Sequence, residues 1–138
     1  MEDLDAMKAL VRTYRNQLKT KQNQKQKYLD KANEIKAVYD RLATDKKAVI
    51  DYKNNLQIFI KEKFDTFKGK QYSLSYLVGM SDLLHQYETT IERIDTNMDR
   101  LNDEKTKYQN LANNLDGPIG RLKSLINTLT NKIVNWIN

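Results

Sequence analysis

The chain has no cysteine, one proline and only 4 glycines among its 138 residues. Without cysteine there is no disulfide framework and no thiolate metal site, and redox chemistry says nothing about compartment. Glycine and proline are absent from all of residues 1–68, so no residue there forces a turn. No apolar run reaches the ~18 residues needed to cross a bilayer. The first residues, Met1-Glu2-Asp3-Leu4-Asp5, are acidic and lead into no apolar segment, so no signal peptide is expected. His85 is the only histidine, which excludes metal sites or triads built from several imidazoles. The glycines (Gly69, Gly79, Gly117, Gly120) are scattered and make no phosphate-binding loop.

What is present is charge and rhythm. Apolar residues make up 39% and charged residues 30%, a balance suited to long helices with narrow apolar seams. The spacing is too regular for a disordered chain. The net charge of +6 is uneven. Residues 1–70 carry 17 Lys/Arg and 10 Asp/Glu (+7), and residues 71–138 carry 7 and 8 (−1). A basic first arm and a more acidic second arm attract each other when folded antiparallel. Exposed pairs give only roughly 0–1 kcal/mol each, so such charges guide pairing more than they stabilise it.

Steps of 3 and 4 from Leu4 land on Met7, Val11, Tyr14, Leu18, Lys21, Lys25, Tyr28, Ala32, Ile35, Tyr39, Leu42, Lys46, Val49, Lys53, Leu56 and Ile60. Most are apolar, as in the a/d seam of a coiled coil. The second arm keeps the rhythm from Leu77 through Met80, Leu84, Tyr87, Ile91, Ile94, Met98, Leu101, Lys105, Tyr108, Ala112 and Leu115. Two stretches interrupt it. Residues 19–27 are polar on every face, a solvated bridge or a break. Asn113 to Pro118 reads as a stop, with Gly117 as a left-handed cap and Pro118 opening a new helix. Ile119, Leu122, Ile126, Leu129, Ile133 and Trp136 then mark a last amphipathic helix.

Phe67-Lys68-Gly69 lies near the midpoint, where Gly69 gives a turn its freedom. The expected fold is all-α: a long antiparallel helical hairpin turning at Phe67–Gly69, with a third C-terminal helix after the Gly-Pro break. Residues 1–138 form a single helical domain, with helices over about 2–63, 73–113 and 119–137, a turn at 64–72 and a break at 114–118. Folding at Phe67–Gly69 sets residue 24 opposite about residue 112, so the two interruptions meet. That predicts a hinge between a central hairpin (about 28–111) and a smaller pair (about 1–20 with 119–137), unless the last helix folds back into a three-helix bundle.

No catalytic or metal-binding set is found, and no cofactor is implied. His85 reads as a surface or partly buried histidine beside the seam. The carboxylates of 82–104 lie at helical spacing, as a solvated face or interhelix ion pairs would. Lys19, Lys21, Lys25, Lys27 and Lys31 are basic enough to raise nucleic-acid binding, but the seam tyrosines suit core packing better than base stacking. The last helix suits packing against residues 4–18 or a partner helix better than a membrane surface. Candidate partner-binding residues are Leu4, Val11, Leu122, Ile126, Leu129, Ile133 and Trp136.

The central aromatic-x-Gly turn between two helices resembles the Trp-x-Gly small helical proteins of type VII secretion, with Phe67 in the tryptophan position. The stretch Phe67-Lys68-Gly69-Lys70, Leu83-Leu84-His85-Gln86-Tyr87 and Ile91-Glu92-Arg93-Ile94-Asp95 is similar to the small helical accessory proteins of LXG-domain toxins in Gram-positive type VIIb systems. The likeness covers about residues 40–110. This chain is longer than usual for the superfamily, and no tyrosine or phenylalanine is followed four residues on by Asp or Glu, the family's export signal. The resemblance implies a non-enzymatic targeting factor or chaperone, cytoplasmic or co-secreted. Its partners would be an LXG toxin's helical N-terminal domain, a second small helical protein and the secretion machinery, with no nucleic acid and no membrane insertion. A self-associating structural coiled coil is the alternative.

Overall fold

The computed structural model describes residues 3–67 and 71–138, and side-chain surroundings over 3–63 and 75–138. The fold is an all-α helical hairpin in three helical pieces: α1 (Leu4–Phe67), α2 (Gln71–Asn114) and α3 (Asp116–Ile137). No strand occurs among the described residues. Helix α1 persists to Phe67, into the segment expected to turn. The Lys68-Gly69 turn itself lies outside the described residues.

Helix α1 opens on Asp3. Its carboxylate accepts the backbone N–H of Asp5 at 3.0 Å, and its carbonyl accepts that of Met7 at 3.0 Å, as an N-cap aspartate does. The helix then runs without interruption through residues 19–27, so the solvated bridge is realised and the break is not. Threonines inside the helices, among them Thr13, Thr20, Thr44, Thr89 and Thr96, donate their hydroxyls to the carbonyl four residues back. That satisfies a side chain which otherwise competes with the helix.

The expected stop at 113–118 is corrected to a single-residue interruption. Only Leu115 falls outside the helices, and its backbone remains right-handed helical at φ −80°, ψ −14°. Its N–H bonds the carbonyl of Ala112 at 3.1 Å, and its carbonyl accepts Ile119 at 3.0 Å. Gly117 is not a left-handed cap: it sits in the first turn of α3, without a positive φ and with open space where a Cβ would stand. Pro118 lacks an N–H, which is enough to cost one ladder bond. Ala112, Leu115, Ile119 and Leu122 follow at steps of 3, 4 and 3, so the seam passes through the interruption in phase.

The chain divides into two compact units. One comprises residues 1–34 and 104–138, the other Ile35–Asp103. The expected boundaries, near 20–28 and 111–119, are thus displaced inward along the hairpin. Within the first unit α3 extends the hairpin and does not fold back: Lys25 reaches Asp116 at 2.5 Å, and Val11 lines a groove with Thr130 and Ile133. Tyr28 and Tyr108 meet with ring centroids 6.2 Å apart. The expected register, residue 24 level with about 112, is that of the Tyr28–Tyr108 contact, since residue 24 lies four before Tyr28 and residue 112 four after Tyr108. All the fully buried apolar side chains belong to this unit: Met7, Val11, Ala32, Ala112, Ile119 and Leu122.

Three substitutions test this packing by urea denaturation. Gly120→Ala is expected to raise stability by about 0.5–1 kcal/mol, because a methyl group enters open helical surface, whereas Gly117→Ala is expected to bring no gain, because a Cβ directly before Pro118 disfavours the helical backbone there. Ala112→Leu, at a position with 0% exposure, is expected to cost about 1–3 kcal/mol through overpacking.

Candidate functional site

With Leu4 as position a, every seam position of α1 from Leu4 to Ile60 is buried or half-buried. The same holds for α2 from Leu77 to Leu115. Lys25, Lys46 and Lys53 all occupy a positions. Each meets a carboxylate that directly follows a d residue of the opposite arm: Lys25 with Asp116 at 2.5 Å, Lys46 with Asp95 at 2.6 Å, and Lys53 with Glu88 at 3.9 Å. Lys46 and Lys53 are one heptad apart, as are Asp95 and Glu88, in the opposite chain direction. The lysine stems cover the seam while their ammonium groups reach its edge. A leucine in their place would bury more, so the lysines act chiefly to fix direction and register.

In an antiparallel pair the heptad letters run opposite ways, so the g edges of both helices flank one side and the e edges the other. The two edges of the 35–103 unit differ. Its g edge carries Val38, Tyr52 and Phe59 from α1 and Tyr76 and Leu83 from α2. Tyr52 is 63% exposed and Tyr76 48%. The e edge holds the Asp95 and Glu88 ion pairs. No described residue of this unit is fully buried.

The first unit presents a different feature at the start of α1. A groove of about 460 Å³ runs between Asp5, Lys8, Val11, Arg12 and Arg15 on one side and Thr130 and Ile133 on the other. Lys8, Arg12 and Arg15 are exposed, and among the described residues none of them forms an ion pair or a side-chain hydrogen bond.

The residues expected to bind a partner divide sharply. Val11 and Leu122 are buried inside the first unit at 5% and 8% exposure. Leu4, Ile126, Leu129 and Ile133 are half-buried along the same seam, and Trp136 alone is exposed, at 47%. Seam periodicity selects what the chain covers for itself. The side chains left exposed beside the seam are Val38, Tyr52, Tyr76 and Leu83 in one unit, and Lys8, Arg12 and Arg15 in the other. Their signal in the sequence is apolar residues at g, and arginines with no acid three or four residues away.

His85 is a surface residue, its side chain 81% exposed with Nδ1 4.0 Å from Glu88. Among the described residues no group of three His, Asp or Glu could hold a metal ion, and no helix is long and apolar enough to cross a membrane. Phe67 and Gly69 belong to the turn outside the described side chains. No protein-family model, no curated protein and no solved structure matches this chain.

The double variant Lys46→Leu, Lys53→Leu tests the seam lysines. It is expected to gain about 1–3 kcal/mol in urea unfolding, since apolar burial outweighs half-exposed ion pairs. Sedimentation should at the same time show mixed association states. A loss of stability would mean that the ion pairs hold the arms together.

Proposed function

We propose that this chain is a non-enzymatic interaction factor that binds the helical N-terminal domain of an LXG toxin and targets it for type VII secretion. The observation that carries the reading is the g edge of the 35–103 unit. Val38, Tyr52, Tyr76 and Leu83 stand exposed along one side of a helix pair in which no described residue is fully buried. A helix laid along that edge would cover these side chains and complete a three-helix layer. Burying a large apolar side chain contributes about 1.5–3 kcal/mol, so a few such anchors suffice for a specific complex. The resemblance around Phe67-Lys68-Gly69 supplies the class of partner, and the long helical toxin domain it implies has the shape this edge accepts. Export would then proceed as a complex, the partner carrying the signal that this chain's tyrosines and phenylalanines do not make.

Co-expression with a cognate LXG domain should yield a complex that survives gel filtration. Replacing Tyr52 and Leu83 with Ser should leave the free protein's stability within about 1 kcal/mol and weaken the complex at least about tenfold. A free protein that associates only with itself, and never with the toxin domain, would replace this reading with that of a structural coiled coil.

A further inference from the structure

The net charge of the chain resides in one unit. Residues 1–34 and 104–138 carry 13 Lys/Arg and 7 Asp/Glu, giving +6, whereas Ile35–Asp103 carries 11 of each, giving zero. Within the charged unit the cations lie where counterions are missing. Residues 6–29 and 117–138 contain 10 Lys/Arg and not one Asp or Glu. Asp116 stands at the edge of the second tract and is taken by Lys25. Beyond it the successive e positions of α3 are Lys123, Thr130 and Ile137, so the a-to-e pairing that serves Lys46 and Lys53 has no acid to use.

The groove at this end combines that unspent charge with apolar surface. Lys8, Arg12 and Arg15 rise at helical spacing on its α1 side, over a floor made by Val11 and Ile133. Four and seven residues beyond Thr130, Val134 and Ile137 continue the same face of α3, 49% and 65% exposed. Apart from Asp5, the α1 lip is cationic, and the α3 lip is mainly apolar. An amphipathic helix with an apolar stripe and acidic residues along one edge is complementary to both, and a concave channel between two helices suits a third helix better than a flat surface. A second copy of this chain is a poor occupant, because the apolar seam of its acidic stretch, residues 82–104, is already half-buried within its own unit.

We propose that the groove between the start of α1 and the end of α3 is a docking site for an acidic amphipathic helix of a partner protein. The apolar stripe covers Val134 and Ile137, and its carboxylates pair with Lys8, Arg12 and Arg15. This deepens the proposed function, since it names the chemistry of one partner segment, but it concerns a surface other than the g edge.

The probe is a synthetic helical peptide of about three heptads, with Leu and Ile at a and d and Glu at e and g. The full chain should bind it, with affinity falling as salt rises. The variant Lys8→Glu, Arg12→Glu, Arg15→Glu should lose at least about tenfold in affinity. Lys8→Arg, Arg12→Lys, Arg15→Lys should keep it, and circular dichroism should show all three proteins equally helical. A peptide with Lys in place of Glu should not bind. Equal binding by the wild type and the charge-reversed variant would overturn the proposal. So would charge-dependent binding to mixed phosphatidylserine–phosphatidylcholine vesicles or duplex DNA without binding to the peptide, or titration of the groove by self-association. The two readings separate cleanly. If the toxin domain is captured equally by wild type and charge-reversed variant, the groove fails and the toxin reading stands. If the acidic peptide binds through Lys8, Arg12 and Arg15 while no toxin domain is captured, the groove stands without it.

Discussion

Two long helices can pair at many offsets, and the constraint on which the rest depends is the lysine at position a meeting a carboxylate at position e of the opposite arm. A slide by one heptad would keep the apolar seam in phase, but it would leave one of Lys46 and Lys53 facing Ser81 or Asn102 and would move Lys25 from Asp116 to Gln109 or Lys123. Each pair is half-exposed and contributes little to stability. Its effect is on the choice among alternatives, because a half-buried ammonium without a partner penalises every other register. With register fixed, the positions of both seam edges are fixed as well, and those edges are where the unpartnered chemistry lies.

The two units solve the shortage of apolar residues in different ways. In residues 1–34 with 104–138, the seam tightens around Ala32 and Ala112, which are almost wholly covered, near the contact of Tyr28 with Tyr108. Small residues beside large ones allow close packing. In Ile35–Asp103 the seam is built of larger side chains and none is fully covered. The first unit accordingly leaves charge exposed beside its seam, and the second leaves tyrosine, valine and leucine exposed.

Much of the fold was legible in the residues, and the errors have a common origin. The alternation of 3 and 4 from Leu4 to Ile60 is a local property, and each of those positions is covered to some degree. The interruption at Asn113–Pro118 is shorter than Gly and Pro taken singly imply. The step from Leu115 to Ile119 is 4, in phase with the heptad, and burial of Ile119 and Leu122 holds the helix in line despite the lost Pro118 donor. The burial of two candidate partner-binding residues has a related reason. Val11 and Leu122 are apolar and periodic, and that is why the chain covers them itself. Lys8, Arg12 and Arg15 carry no periodic apolar signal, and their importance appears only once the acid-free tracts are seen to lie side by side.

The sequence by itself determined helical class, seam positions and the antiparallel attraction of a basic arm for an acidic one, since these follow from spacing and composition along the chain. Only the tertiary structure decided which seam residues are shut away and which edges stay open, because coverage depends on what lies across the pair. It also decided that Lys25 takes Asp116, the last acidic side chain in the sequence. The +6 charge, which the sequence divides between arms, thereby becomes the property of one compact unit. The physical reason is one of range. Periodicity acts between neighbours three and four residues apart, whereas the meeting of Lys25 with Asp116 spans 91 residues of chain and exists only when the hairpin is closed.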